Sequence, residues 1–139
     1  MAVFLSFFFR ISIRFGLVGL LAICLGCGAS DRAYVSGKIV HADGTPLVLA
    51  KVIANCPENS KTAYGSTDGD GYYQIAIGTE EKGIPPGNYV VYLIEDHGVE
   101  EGKMKRTIAK KYTDPNTSGL SFVVAAGESK VFDITTDPP

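Results

Sequence analysis

Apolar and polar residues alternate in short runs from about residue 33 onward, which is the pattern of half-buried β-strands. Gly, Asp and Pro turn signals separate the runs, and no segment sustains a helical period. The alternation predicts seven or eight short strands and hence an all-β sandwich. The residues expected to face inward are Val35, Gly37, Ile39, Val52, Ala54, Cys56, Ala63, Gly65, Tyr73, Ile75, Ile77, Tyr89, Val91, Leu93, Leu120, Phe122, Val124, Phe132 and Ile134.

The turn signals predict how the strands connect. Asp43-Gly44 predicts a hairpin that returns the chain along Leu47–Cys56, and Gly127-Glu128 predicts the last hairpin. Asp68-Gly-Asp-Gly71 lies between two strand-like runs and predicts another tight turn. The segment Ile108–Tyr112 is expected to be a short extended piece.

The first 26 residues differ from the rest of the chain. They hold five of the seven phenylalanines and no acidic residue. Arg10 and Arg14 precede the apolar run Phe15–Gly26, which is the build of a secretory signal and is too short to span a bilayer comfortably. We therefore expect residues 1–26 to be a cleaved signal. The apolar residues before Arg10 leave a later start codon open as an alternative.

Leu25-Gly26-Cys27 resembles the lipobox of bacterial lipoproteins, in which small residues precede a cysteine that receives diacylglycerol. The resemblance implies lipidation of Cys27, a tether at 27–32, and a cell-envelope location facing the periplasm or the exterior. Cys24 stands where the motif usually has leucine. Cleavage without lipidation and an uncleaved anchor at Val3–Leu25 stay open. In that anchor each of two arginines would cost about 2.5–3.5 kcal/mol at a helix centre.

Charge and cysteine content limit the remaining function classes. Without Arg10 and Arg14 the chain keeps 11 basic and 15 acidic side chains, so we expect no nucleic acid partner. Glu95–Arg106 is acidic first and basic later, which is typical of a solvated loop. With Cys24 removed and Cys27 lipidated, Cys56 would be the only thiol, and we expect it to be a small buried residue.

Five short segments combine strand and turn residues: Val35-Ser-Gly-Lys-Ile-Val40, Asp43-Gly-Thr-Pro-Leu47, Ala50-Lys-Val52, Thr67-Asp-Gly-Asp-Gly-Tyr-Tyr73 and Ile84-Pro-Pro-Gly-Asn-Tyr-Val90. They resemble the carboxypeptidase regulatory-like domains. That resemblance implies a Greek-key β-sandwich of the transthyretin (prealbumin-like) type.

A later segment, Ile108-Ala-Lys-Lys-Tyr-Thr-Asp-Pro-Asn-Thr-Ser-Gly-Leu120, resembles the K-Y-x-D-P-x-T-S-G-L stretch of small planctomycete-type lipoproteins built on this fold. The resemblance covers about Ala33 to Thr135. It implies a fold and a location, since most members have no assigned activity. We expect a β-sandwich domain at 33–136 and a tail at 137–139.

Hydrolysis would need a nucleophile, a base and an orienting group. The histidines are His41 and His97, each in or beside a loop. Transthyretin-like sandwiches include 5-hydroxyisourate hydrolase, which uses clustered histidines with an arginine, and this chain lacks that pattern. We therefore expect no enzymatic activity and no cofactor, with a small hydrolase as the least favoured alternative.

Asp68 and Asp70 form the sharpest candidate metal site. Alternating carboxylates and glycines supply hard oxygen ligands on a bendable backbone, which suits calcium. A calcium loop also needs a later acid, and none follows before Glu80. The same residues make a tight turn without any ligand. The sequence favours the turn and leaves calcium as the alternative.

These observations predict a non-enzymatic, lipid-anchored module of the cell envelope with a structural or interaction role. Its membrane contact would be the lipid at Cys27, and its protein or glycan partner is unknown. The alternative is a carbohydrate- or peptide-binding module. In that case the side chains of Tyr34, Tyr64, Tyr72 and Tyr92 would form one exposed stacking face on one sheet.

Overall fold

A computed structural model describes residues 31–79, 82–96 and 106–139. The predicted signal, Cys27, Glu80 and His97 lie outside these ranges. Within them, no helix is long and apolar enough to cross a membrane. The elements are β1 (Tyr34–His41), β2 (Ala50–Cys56), β3 (Lys61–Ser66), β4 (Tyr72–Ile75), β5 (Gly87–Glu95), the 3₁₀ helix η1 (Lys110–Thr113), β6 (Leu120–Val124), β7 (Ser129–Val131) and β8 (Ile134–Thr136).

The strands form two four-stranded sheets, so the prediction of an all-β sandwich with seven or eight strands is confirmed. The first sheet has the order β4-β1-β7, and β8 also pairs with β1. The second sheet has the order β3-β2-β5-β6. Strands β7 and β8 run parallel to β1 in one register, because Tyr34 pairs with Ser129 and Ile39 with Ile134. They are one edge strand interrupted at Phe132 and Asp133.

The core lies between the sheets and contains most of the residues predicted to face inward. Burying each large apolar side chain contributes about 1.5–3 kcal/mol, which drives the two sheets together. Ile77, Leu120 and Phe132 are only partly buried at its margin. The fully buried large side chains include Val35, Ile39, Val52, Ile75, Tyr89, Val91 and Leu93.

The prediction that the hairpin at Asp43-Gly44 returns the chain along Leu47–Cys56 is wrong, because the antiparallel return along β1 stops after the Val40–Pro46 bridge and the bond from the Leu47 N–H to the Ile39 carbonyl. The turn itself forms, and the His41 N–H donates to the Thr45 carbonyl at 2.8 Å. The strand that follows begins at Ala50, not Leu47, and lies in the opposite sheet. Leu49 makes the crossing with a φ of 54°, a left-handed conformation that is unusual for a branched residue.

Two other predicted turns also join opposite sheets. The turn after Asp68 links β3 to β4, and the turn at Gly127 links β6 to β7, so neither closes a hairpin within one sheet. Strand alternation identifies the buried face of a strand but not its neighbour. The buried faces were therefore predictable, whereas the pairing was not.

Ile108–Tyr112 is not extended, because Lys110–Thr113 forms η1. The Tyr112 hydroxyl donates to Asp137 Oδ2 at 2.9 Å, and Lys111 Nζ lies 2.5 Å from the same atom. The hydrogen bond from Lys111, with a smaller contribution from the Tyr112 hydroxyl, holds the pKa of the Asp137 carboxyl below its usual range. The Ala109 N–H donates to the Asp137 carbonyl at 3.0 Å. These contacts join η1 to the end of the chain.

The remaining polar residues of the K-Y-x-D-P-x-T-S-G-L segment build the connection between β5 and β6. Asp114 Oδ1 accepts the Asn116 N–H at 2.8 Å, and its carbonyl accepts the Ser118 N–H at 2.9 Å. Ser118 Oγ is buried and donates to the Val91 carbonyl at 2.5 Å. The segment Ile108–Leu120 therefore forms a corner of the fold.

Candidate functional site

The carboxylate of Asp68 organises the turn between β3 and β4. Its Oδ1 accepts the N–H groups of Asp70 and Tyr72, each at 2.9 Å. The backbone closes the same turn, since Gly71 donates to the Asp68 carbonyl at 3.1 Å. Gly71 has a φ of 81°, which suits glycine. The prediction that this stretch is a tight turn is confirmed.

The hydrogen bonds of this turn compete with calcium binding by Asp68 and Asp70. One oxygen of Asp68 is already used as a hydrogen-bond acceptor. Throughout 31–79, 82–96 and 106–139, no three His, Cys, Asp or Glu side chains form a group that could hold a metal ion. A calcium ion usually takes six or more oxygens. The local geometry therefore favours the structural role of Asp68.

The four tyrosines do not share one sheet, so the prediction of a single four-tyrosine face is wrong. Tyr34 and Tyr72 belong to β1 and β4 in the first sheet, whereas Tyr64 and Tyr92 belong to β3 and β5 in the second. Each pair lies on the solvent face of its own sheet. The reason is again the strand pairing, which places β3 and β4 in different sheets.

Tyr64 and Tyr92 flank Ile53 in one row across the second sheet. Ile53 pairs with Tyr64 on one side and with Tyr92 on the other. Adjacent strands are about 4.8 Å apart, so the two tyrosine backbones are separated by about 10 Å. The rings border a surface cavity of about 360 Å³ that Ile53, Lys51 and Thr62 also line. We call this cavity the tyrosine slot.

The charges around the tyrosine slot are balanced. Lys51 Nζ lies 2.7 Å from Asp96 Oδ2, which compensates the ammonium charge at this end. Thr62 supplies a hydroxyl at the other end. Tyr64 is 51% exposed, so its ring is available to a ligand. The slot thus combines two aromatic rings, an aliphatic floor and a polar rim.

The larger cavity, of about 630 Å³, lies on the first sheet and is less suited to stacking. Lys38 Nζ sits 5.0 Å from the centre of the Tyr72 ring and covers it. Asp133 Oδ1 accepts the Lys38 N–H at 2.8 Å, so this carboxylate completes the sheet. Burial, with a smaller contribution from Asp133, raises the pKa of Tyr73 beneath this surface.

His41 lies at a third cavity, of about 390 Å³, with Asp43, Thr45 and Thr107. Asp43 Oδ1 accepts both the Thr45 N–H at 2.9 Å and the Thr45 hydroxyl at 2.7 Å. These bonds hold the pKa of Asp43 below its usual range. The Thr45 proton points to Asp43, so the arrangement does not pair a hydroxyl nucleophile with His41.

Cys56 is buried at the end of β2, as predicted for a small apolar residue. A Cβ built on Gly87 would come within 2.8 Å of its sulfur, so the thiol is enclosed by the start of β5. The Cys56 side chain therefore packs in the core as a small apolar residue.

No family model matches the chain, and no curated protein matches it either.

Proposed function

We propose that the protein is a lipid-anchored, non-enzymatic domain of the cell envelope with a structural or interaction role. The observation that carries the proposal is Gly26-Cys27 placed directly after an apolar run that begins beyond Arg14. The described β-structure begins at Ala33, only six residues after Cys27. A lipid-anchored domain needs only a short connection of this kind between the lipidated cysteine and its first strand.

We further propose that the sandwich is of the transthyretin-like Greek-key type. The strand orders β4-β1-β7 and β3-β2-β5-β6 support this assignment. The four connections that cross between the sheets (β1–β2, β3–β4, β4–β5 and β6–β7) support it as well, because Greek-key sandwiches connect their two sheets repeatedly. A domain of this type supplies a rigid body with two solvent faces.

Replacing Cys27 by Ser is expected to abolish incorporation of labelled palmitate and to move the protein out of the membrane fraction. The matched control is Cys24→Ser, because a cysteine removed with the signal cannot carry the mature lipid. Both variants are expressed in full and compared with the unmodified chain after membrane fractionation. Undiminished labelling of the Cys27 variant would refute the anchor assignment.

The tyrosine slot favours a second candidate function, which is binding of a carbohydrate or a peptide through stacking. Sugars and prolines present flat apolar faces to aromatic rings, and aromatic rings contribute strongly to such contacts. Lys51 and Thr62 at the rim would supply polar contacts. The slot is uncharged overall, so a neutral ligand fits it best.

Alanine at Tyr64 and Tyr92 together is expected to weaken retention on immobilised envelope polysaccharide or proline-rich peptide by about tenfold, since aromatic pairs contribute about 0.5–1.5 kcal/mol each. The matched control is the double alanine variant at Tyr34 and Tyr72 on the other sheet. Equal retention of the two double variants would remove the slot from consideration. Retention would be measured on the purified full-length chain in mild detergent.

A further inference from the structure

The outer face of the second sheet arranges its side chains in rows that run across the strands. Tyr64, Ile53 and Tyr92 form one row, because the register places them side by side on β3, β2 and β5. The two neighbouring rows are formed by Ser66, Lys51 and Ile94 on one side and by Thr62, Asn55 and Val90 on the other. A ligand that contacts both tyrosines of the slot therefore runs across the strands, between Lys51 and Thr62.

The spacing of the tyrosine row matches one turn of a polyproline II helix. Tyr64 and Tyr92 lie two strand spacings apart, which separates their backbones by about 9.6 Å. A polyproline II helix rises about 3.1 Å per residue with three residues per turn, so residues i and i+3 recur about every 9.3 Å along one edge. Two prolines with that spacing can therefore stack on both tyrosines at the same time.

Other peptide conformations fit the slot less well. In an extended strand, side chains on one face recur about every 6.7 Å, so two of them span about 6.7 or about 13.4 Å. An α-helix uses its backbone carbonyl groups internally, so it offers none of them to a binding site. Polyproline II combines the required repeat with carbonyl groups that have no internal partner.

The polar groups that line the tyrosine slot are suited to donate hydrogen bonds to such carbonyl groups. The Lys51 ammonium has three N–H donors and no acceptor, and its contact with Asp96 leaves donors available. Thr62, Ser66 and the two tyrosines add hydroxyl groups. Among the described residues that line the slot, none carries a carboxylate or an amide. The rim therefore favours a ligand that is rich in acceptors.

A proline-rich segment has this complementary character. Proline has no backbone N–H, so the segment presents carbonyl acceptors with few donors. The partial negative charge of the carbonyl oxygens complements the Lys51 ammonium, while Asp96 balances its full charge. The polyproline II conformation is also formed before binding, which lowers the entropic cost of docking.

A carbohydrate chain matches these polar groups less well. Every sugar hydroxyl brings a proton that needs an acceptor when the group is buried. The side-chain acceptors among the described lining residues are hydroxyl oxygens, which accept more weakly than carboxylates do. Asn55 lies one row away, but its Oδ1 is buried and has no hydrogen-bond partner in the described part of the chain. A ligand with few donors avoids this mismatch.

The apolar part of the slot suits the pyrrolidine rings of proline. Ile53 lies between the two aromatic rings of its row. Tyr64 is half-exposed, and Ile94 in the neighbouring row is 42% exposed. Proline rings that cover these side chains remove apolar surface from water, and proline loses almost no side-chain entropy when it is buried.

We propose that the tyrosine slot binds a proline-rich peptide segment in the polyproline II conformation. The proposal rests on the second candidate function, binding through the slot, and names the class of ligand. Prolines at positions i and i+3 of the segment stack on Tyr64 and Tyr92. The two residues between them pass over Ile53, and their carbonyl groups accept hydrogen bonds from Lys51 and Thr62.

The test measures binding of fluorescein-labelled peptides to the purified full-length chain in mild detergent by fluorescence anisotropy. Decaproline is expected to bind. Three alanine-based peptides of equal length and composition each carry two prolines, separated by one, two or three alanines. The peptide with two intervening alanines is expected to bind about fivefold more tightly than the other two, because only its prolines reach both rings.

Tyr92→Ala is expected to weaken decaproline binding about fivefold, whereas Tyr92→Phe keeps the ring and most of the affinity. Tyr92→Ala should also abolish the preference among the three proline spacings, since one ring then remains. The matched control is Tyr72→Ala, which removes a tyrosine from the solvent face of the first sheet and should leave both measurements unchanged. Circular dichroism shows whether each variant is folded.

Lys51→Met tests the contribution of the donors at the rim. It removes the ammonium group and keeps an unbranched apolar side chain, so decaproline is expected to bind about threefold more weakly. Lys51→Arg retains the donors and is expected to keep most of the affinity.

A neutral glycan separates failure of this proposal from failure of the function on which it rests. Suppose that a labelled β-1,4-linked glucose hexasaccharide binds, that Tyr92→Ala weakens its binding, and that decaproline does not bind. The slot would then stand as a binding site and the proline assignment would be overturned. Equal affinity for the three proline spacings would also overturn it. Binding of neither probe would overturn the assignment and the slot function together.

Discussion

Gly37→Ala is expected to lower the free energy of unfolding by about 3 kcal/mol, the range in which overpacking of a buried site falls. A Cβ at this position would lie 2.1 Å from the Phe132 carbonyl oxygen and 3.1 Å from the Tyr73 ring. The backbone at Gly37 is not in the left-handed region, so the requirement for glycine is purely steric. Phe132 would have to move.

That carbonyl cannot move freely, because it accepts the hydroxyl proton of Tyr73. The neighbouring Phe132 N–H donates to the Ser36 carbonyl at 2.8 Å. Displacing Phe132 therefore strains two hydrogen bonds and its ring contact with Phe122, whose centre is 5.2 Å away. The added methyl group would disturb the interruption between β7 and β8.

Gly69→Ala is the matched control, since nothing lies within 4 Å of a Cβ at that position. This variant makes the same chemical change and has the same effect on the entropy of the unfolded chain. We therefore expect it to change the free energy of unfolding by less than about 0.5 kcal/mol. Urea unfolding followed by far-ultraviolet circular dichroism compares the two. Equal midpoints would show that the close contact at Gly37 is not real.

Asp68→Ala is expected to lower the free energy of unfolding by about 2 kcal/mol, because it removes one charged acceptor that serves two backbone N–H groups. Loss of this carboxylate would loosen the crossing from β3 to β4. Asp70→Ala should change stability by less than about 0.5 kcal/mol, since Asp70 contributes only its backbone N–H to these bonds. The two substitutions remove the same charge from adjacent parts of one turn.

Asp68→Asn is the second control. An amide oxygen can still accept both N–H groups, so most of the stability should remain. Thermal unfolding of the three variants with and without calcium completes the comparison. A calcium-dependent rise in melting temperature that both Asp68→Ala and Asp70→Ala abolish would replace the turn interpretation with a metal site.

The alternation of apolar and polar residues was sufficient to predict the fold class and most of the core residues. Val35, Tyr73 and Leu93 are buried where the two-residue period places them, because only one face of each strand can leave water. The Asp68–Gly71 turn was equally predictable, since an Asx side chain bonds its own backbone locally. These features depend on neighbours within a few residues.

Only the tertiary structure decided which strands are neighbours. The turns at Asp68 and Gly127 predict hairpins within one sheet, yet each joins strands of opposite sheets, and the chain beyond the Asp43 turn crosses to the other sheet at Leu49. The strand pairing places Tyr64 and Tyr72 in different sheets and places Tyr64 and Tyr92 on either side of Ile53. It also places β6 at the edge of the second sheet. Pairing depends on contacts between residues far apart in the chain, and alternation within a strand carries no information about them.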